Sequence, residues 1–174
     1  ELRVAAHMAD DRKMTEAFKK GLDIHRMTAA EIYNIPLEEV TSDQRRAAKT
    51  LNFGVLYGMG SQAFSENTGF SREEARNFIE EYFRDFSGIA EYISKTKRVV
   101  EEQGYVETIF GRRRIITEIH SSNWQIKREA ERMAVNAPIQ GSAADLVKMA
   151  MIGVANWIKK EKVENSVKML LQVH

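Results

Sequence analysis

The chain has 174 residues, 26 Lys plus Arg against 25 Asp plus Glu, a formal net charge of +1, and 43 % apolar residues. That apolar content suffices for one packed core, so one domain or a piece of a larger one is expected. The chain has no cysteine, which excludes disulfide scaffolds, cysteine nucleophiles and thiolate metal sites. No apolar run approaches the roughly 18 residues of a membrane span, so no membrane partner is expected, and Glu1-Leu2-Arg3-Val4 carries no signal-peptide pattern.

Two prolines in the whole chain point to long helices. Residues 2–9 are apolar and Ala-rich, which predicts a helix. Asp23 is placed to cap a helix running to about Tyr33, with Pro36 in the loop beyond. Thr41-Ser42-Asp43-Gln44 has the spacing of a capping box, and its helix should run to about Tyr57 and stop near Gly58 and Gly60. Ser71-Arg72-Glu73-Glu74 is a second capping box. Ala75, Phe78, Ile79, Tyr82, Phe83 and Phe86 then recur at helical spacing, and a further helix ends near Gly104. Alternating β-branched and aromatic residues around Gly111 predict a hairpin over 105–116. Ser122 to Gln125 fits a third capping box, Pro138 is expected to interrupt the helix it starts, and residues 167–173 read as a mostly buried strand. The fold class expected is mainly α with a small β component. The chain stops inside the last predicted strand, the pattern of an excised segment.

Three constellations can carry chemistry. Arg45, Lys49, Phe53 and Tyr57 are spaced by four, and steps of four on an α-helix drift only about 40° each. They therefore form one stripe of two cations followed by two rings. The cations suit phosphate oxygens and the rings suit a stacked base, with Gly54 and Gly58 leaving room beside the rings. A solvated basic end and a buried aromatic end of an ordinary helix would look the same. Arg132, Asn136 and Gln140 repeat the spacing of four with groups that can reach base edges or sugars in a minor groove, or can satisfy backbone groups around Pro138. Arg112-Arg113-Arg114 suits phosphate-backbone contact, or simply a solvated turn. His7, His25, His120 and His174 lie too far apart for a helical metal pair, and the adjacent Asp10-Asp11 is no metal site.

Read in full, Arg45-Arg46-Ala47-Ala48-Lys49-Thr50-Leu51-Asn52-Phe53-Gly54-Val55-Leu56-Tyr57-Gly58 closely resembles the fingers-helix motif of the family A DNA polymerases. Glu1-Leu2-Arg3-Val4-Ala5-Ala6-His7 is similar to the second half of that family's first palm motif, and Leu171-Gln172-Val173-His174 to the first half of its last. Asp23-Ile24-His25, Gly104-Tyr105-Val106-Glu107-Thr108 and Asn136-Ala137-Pro138-Ile139-Gln140-Gly141-Ser142-Ala143-Ala144-Asp145 match between them in order.

The resemblance implies fingers and part of the palm of a right-hand polymerase fold, with about 1–10 and 118–174 in the palm and 11–117 in the fingers. It implies templated addition of dNTP to a primer 3′ end by a cytoplasmic, nucleoid-associated enzyme. Arg45 and Lys49, with His25 beside them, would grip the dNTP triphosphate, and Lys49 would neutralise or protonate the leaving pyrophosphate. Phe53 would pack on the sugar and base, and Tyr57 would sit near the template base. Glu1 would be the steric gate against a 2′-hydroxyl. Arg132 and Gln140 would touch the minor groove at the primer terminus, Asn136 the nearby duplex, and His174 the primer end, while Arg112 is a DNA-binding candidate from the basic run alone. The partners implied are primer–template DNA, dNTP, and the remaining palm, thumb and any exonuclease domain of the same polypeptide. The cofactor implied is Mg²⁺, two ions held by two palm aspartates that flank the positions of Glu1 and His174 and are not in this chain. The isolated chain is therefore expected to be inactive. Two other readings stay open: a non-catalytic helical DNA-binding module, and a fragment of a single-subunit RNA polymerase, which the Glu1 gate argues against.

Overall fold

The computed structural model describes residues 1–172, so the expectation for His174 lies outside the described residues. Helices α1 (Leu2–Met8), α2 (Arg12–Lys19), α3 (Ile24–Tyr33), α4 (Ser42–Leu56), α5 (Ser61–Thr68), α6 (Arg72–Asp85) and α7 (Ser87–Gln103) lead to a short hairpin. Its strands are β1 (Tyr105–Glu107) and β2 (Arg113–Ile115), and helix α8 (Trp124–Lys160) follows. The fold is mainly helical with one small antiparallel sheet, in the register Tyr105↔Ile115, Val106↔Arg114 and Glu107↔Arg113.

Local chemistry sets most of these boundaries. Thr41 and Ser71 each accept from the third backbone N–H of their helix, and Gln44 and Glu74 each accept in return from the cap residue's own N–H. Asp23 caps α3 through the Arg26 N–H. Asp11 is a cap that the sequence pattern does not reveal. Its carboxylate accepts from Met14 N at 2.8 Å to start α2 and from Ile89 N at 3.3 Å to hold the beginning of α7. The main core gathers Ala5, Ala6, Met14, Leu51, Val55, Leu56, Phe64, Ile89 and Ile139 from α1, α2, α4, α5, α7 and α8. A second core of Val100, Val106, Ile116, Ile119, Ala130 and Ala134 seats the hairpin between α7 and α8.

Four expectations are corrected. The third helix cap is Asn123, whose Oδ1 accepts from Gln125 N and Ile126 N, and not Ser122. Pro138 does not interrupt α8, which runs unbroken from Trp124 to Lys160. A proline there forfeits the bond to the carbonyl of Ala134, but Ala134, Val135, Pro138 and Ile139 are all buried, and that packing holds the helix together. No strand forms over 167–172, where Leu170 and Leu171 are 88 % and 79 % exposed. A strand needs a neighbour to take its backbone groups, and among the described residues the sheet consists of β1 and β2 alone. Finally, Gly54 leaves no open room beside the rings: Met59 fills the space a side chain there would take, with its Sδ 2.9 Å from the ideal Cβ position. Gly58, in the left-handed region at φ 88°, is backed by Arg132, whose Cγ would lie 3.1 Å from a Cβ.

Candidate nucleotide and nucleic-acid interface

The stripe on α4 faces a cleft of about 450 Å³. Arg45, Lys49 and Phe53 form one wall, Glu1, Leu2 and Arg3 at the start of α1 a second, and Phe18 with the segment from Gly21 to His25 the rest. Three of the four expected stripe residues therefore share this cleft, and Tyr57 lines the neighbouring one. The Phe53 and Tyr57 rings stack with centroids 6.1 Å apart and planes 25° apart. His25 leans against Phe53 at 5.8 Å. Tyr57, one turn beyond the cleft, donates its hydroxyl to Glu1 Oε2. Arg45 Nε lies 2.5 Å from Asp23 Oδ2, so the cap of α3 also braces the first cation of α4.

At this site Asp23, His25 and Tyr57 have shifted protonation. Burial disfavours ionisation of Asp23, but the hydrogen bonds from Arg45 and the Arg26 backbone, with the Arg45 charge, outweigh it and hold the carboxyl below its ordinary value. Burial pulls His25 below the usual imidazole value. Asp23 opposes that shift, and Arg45 and Lys49 add to it. The Tyr57 phenol is pushed above its usual value by burial first, then by the charge and hydrogen bond of Glu1. At neutral pH the cleft thus presents an ionised Asp23 and a neutral imidazole beside Arg45 and Lys49, with the intact Tyr57 phenol one turn beyond it.

Sequence reasoning missed several residues that shape this cleft. Arg3 lines it and lies over the Phe18 ring at 4.8 Å, a cation–π contact that fixes a further positive charge at its edge. Arg26 donates to the carbonyls of Leu37 and Val40 at 3.0 and 2.7 Å, pinning the loop that delivers Thr41 and hence the start of α4. Asn52 is buried between Thr28 and His25. Its place within the quoted motif was the only available signal.

The second constellation divides. Asn136 and Gln140 line a cleft of about 360 Å³ with Thr108, Arg112 and Arg114 of the hairpin. Arg132 turns instead to a cleft of about 550 Å³ with Tyr57, Gly58, Lys97, Trp124, Lys127 and Arg128. The drift between steps of four is enough to part them. Asn136 Oδ1 is buried without a hydrogen-bond partner. The arginine run is tied down rather than splayed. Arg112 donates to Asp145 and to the Gly141 carbonyl, Arg113 pairs with Glu107 over the Tyr105 ring, and Arg114 meets Met133 Sδ. Among the described residues no group of three or more His, Cys, Asp or Glu gathers to hold a metal ion, so these residues do not fit a Mg²⁺ site. Among the described residues no helix is long and apolar enough to cross a membrane.

The fold is that of a polymerase domain. It matches the POL domain of Pol1 from M. smegmatis, solved in complex with DNA primer-template and dNTP, with a TM-score of 0.85 and 40 % identity over 92 % of this chain and 28 % of that one. A sequence model of DNA polymerase family A matches residues 1–174. The chain belongs to that family. It is 47 % identical over its full length to the DNA polymerase I of Pseudomonas aeruginosa and 44 % identical to that of Geobacillus stearothermophilus. It spans about a fifth of the length of these curated relatives, 19 % and 20 %.

Proposed function

We propose that the chain is the fingers and adjoining palm of a DNA-directed DNA polymerase, with about 11–117 in the fingers and the flanking segments in the palm. One observation carries the reading. Along α4, Arg45, then Lys49, then the Phe53 ring line one cleft, with His25 against that ring and Glu1 at the start of α1 also lining it. That order suits a dNTP lengthwise: phosphates on the cations, sugar and base on the ring. Guanidinium and ammonium groups grip phosphate oxygens by charge-assisted hydrogen bonds. Lys49, the more exposed of the two α4 cations, neutralises the leaving pyrophosphate. Glu1, braced by Tyr57, stands where a 2′-hydroxyl would fall.

Primer–template DNA follows the two other clefts. Asn136, Gln140 and Arg112 take the duplex side, and Arg132 takes the side next to Tyr57. The Asn136 Oδ1 left without a partner supports this role, because a buried acceptor costs free energy until a donor arrives. Family A DNA polymerases generally use Mg²⁺. The carboxylates for it come from the two palm aspartates expected to flank the positions of Glu1 and His174. The remaining palm, a thumb and any exonuclease domain complete the enzyme.

The test is a graft. The matching segment of the Geobacillus stearothermophilus polymerase is replaced by residues 1–174, and primer extension is followed with and without Lys49→Ala. Templated dNTP incorporation that falls at least a hundredfold in Lys49→Ala is expected, on the order of the loss from removing one group that stabilises transition-state charge. A folded graft that binds primer–template yet incorporates nothing would overturn the reading.

A further inference from the structure

Asn52 sits one residue before Phe53 on the buried side of α4 and is 1 % exposed. Its amide makes two hydrogen bonds of opposite sense. The Thr28 hydroxyl donates to Asn52 Oδ1 at 3.1 Å, and Asn52 Nδ2 meets His25 Nδ1 at 3.0 Å. In this orientation of the amide its oxygen takes the Thr28 proton and its NH₂, which can only donate, faces the imidazole. His25 Nδ1 must then offer its lone pair, and the proton of the neutral ring resides on Nε2. We infer that Asn52 is a positioning residue, which with Thr28 sets the tautomer of His25 so that a neutral imidazole presents Nε2–H beside Arg45 and Lys49.

The charged surroundings agree with a neutral ring. His25 is faced by Asp23 from the cap of α3, by Arg45 and Lys49 from α4, and by Glu1 at the start of α1. Burial and the cations together outweigh Asp23, so the ring gives up its second proton more readily than a free imidazole. A polyanion entering the cleft meets two cations and one uncharged donor whose direction is set from behind. The donor costs little to hold in place, because Thr28 and Asn52 are both buried and their polar groups are satisfied by this chain of bonds.

The deciding measurement is nitrogen NMR on the 174-residue chain without nucleotide. A coupling across the hydrogen bond from Asn52 Nδ2 to His25 Nδ1, with the neutral ring protonated at Nε2, is expected. Asn52→Asp reverses the hydrogen bond, since a carboxylate accepts, so Nδ1 becomes protonated and His25 gains about tenfold in proton affinity. Thr28→Val keeps the shape of the site and frees the amide to turn, so the ring becomes a mixture of tautomers. A neutral wild-type ring protonated at Nδ1, or a tautomer and titration unmoved by both variants, would overturn the assignment.

The consequence for nucleotide rests on the triphosphate reading above. In the graft, Asn52→Asp should raise the KM for dNTP about tenfold, the scale of one hydrogen bond to an ionised group. A changed tautomer with an unchanged KM would keep Asn52 in its role and overturn the triphosphate reading. An unchanged tautomer overturns the role whatever KM does.

Discussion

Tyr57, the last ring of the α4 stripe, donates its hydroxyl to the Glu1 carboxylate at 3.3 Å, tying the end of α4 to the start of α1. Burial, then the charge and hydrogen bond of Glu1, raise the phenol above its ordinary value, so it stays a donor through the neutral and mildly alkaline range. The ring is held separately, by stacking on Phe53. Tyr57→Phe thus removes the hydrogen bond and keeps the stack. A bond of this kind is worth about 1 kcal/mol, roughly fivefold. If Glu1 gates the sugar, the graft carrying Tyr57→Phe should lose about that factor in the ratio of kcat/KM for dNTP over rNTP. An unchanged ratio would show that Glu1 holds its place without Tyr57.

Arg45 is shared between two tasks. Its Nε lies 2.5 Å from Asp23, yet it is the cation nearest the start of the stripe. Both side chains are over a third exposed, at 43 % and 37 %, so the pair contributes no more than about 1 kcal/mol. Asp23→Asn keeps an acceptor for the Arg26 N–H, hence the cap of α3, and removes one negative charge from the cleft. The expected result is a thermal stability within about 1 kcal/mol of the parent and tighter binding of pyrophosphate by calorimetry. Weaker binding would mean that the carboxylate's aim of Arg45 matters more than its charge. The pH dependence has a definite sign. Asp23 in the folded chain ionises below its unfolded value, which is about 3.9. The stability it adds is fully present above that unfolded value and is lost as pH falls through the folded one. The stability difference between the parent chain and the Asp23→Asn variant should therefore vanish in acid.

The stripe on α4 was legible because helical spacing, a capping box and a terminal glycine all agree over a single element. What the sequence hid were relationships between elements. Asp11 reads as one of an adjacent acidic pair, and only the fold brings the Ile89 N–H to its second oxygen. Asn52 and His25 are 27 residues apart, and no periodicity links an amide on one helix to an imidazole on another. Pro138 misled because a local rule, the lost N–H, was outweighed by burial on both sides of it in α8. The apolar run at 167–172 has the composition of a strand and no strand beside it among the described residues, so composition alone could not decide its state. Arg132 parted from Asn136 and Gln140 because a small angular drift is enough to carry successive side chains into different clefts.

Gly88 marks a close backbone approach. A Cβ there would lie 2.8 Å from Asp11 Cα and 2.9 Å from the Ala9 carbonyl oxygen, both main-chain atoms that cannot swing aside. The second residue of α7 therefore touches the turn between α1 and α2, the turn that Asp11 joins to Ile89. Gly88→Ala must push α7 away from that turn and stretch the Asp11 bond. A loss of about 1–3 kcal/mol is expected, the range for overpacking a tight contact. Gly153 supplies the matched comparison, since it lies inside α8 with no atom within 4 Å of an added Cβ. Gly153→Ala should gain about 0.5–1 kcal/mol through helix propensity alone. Denaturant unfolding of the two variants measures both. Because α1 carries Glu1 and Arg3 to the cleft wall, Gly88→Ala in the graft should also raise the KM for dNTP, and Gly153→Ala should not. Equal effects from the two glycines would mean that the α1–α7 contact does not set the position of α1.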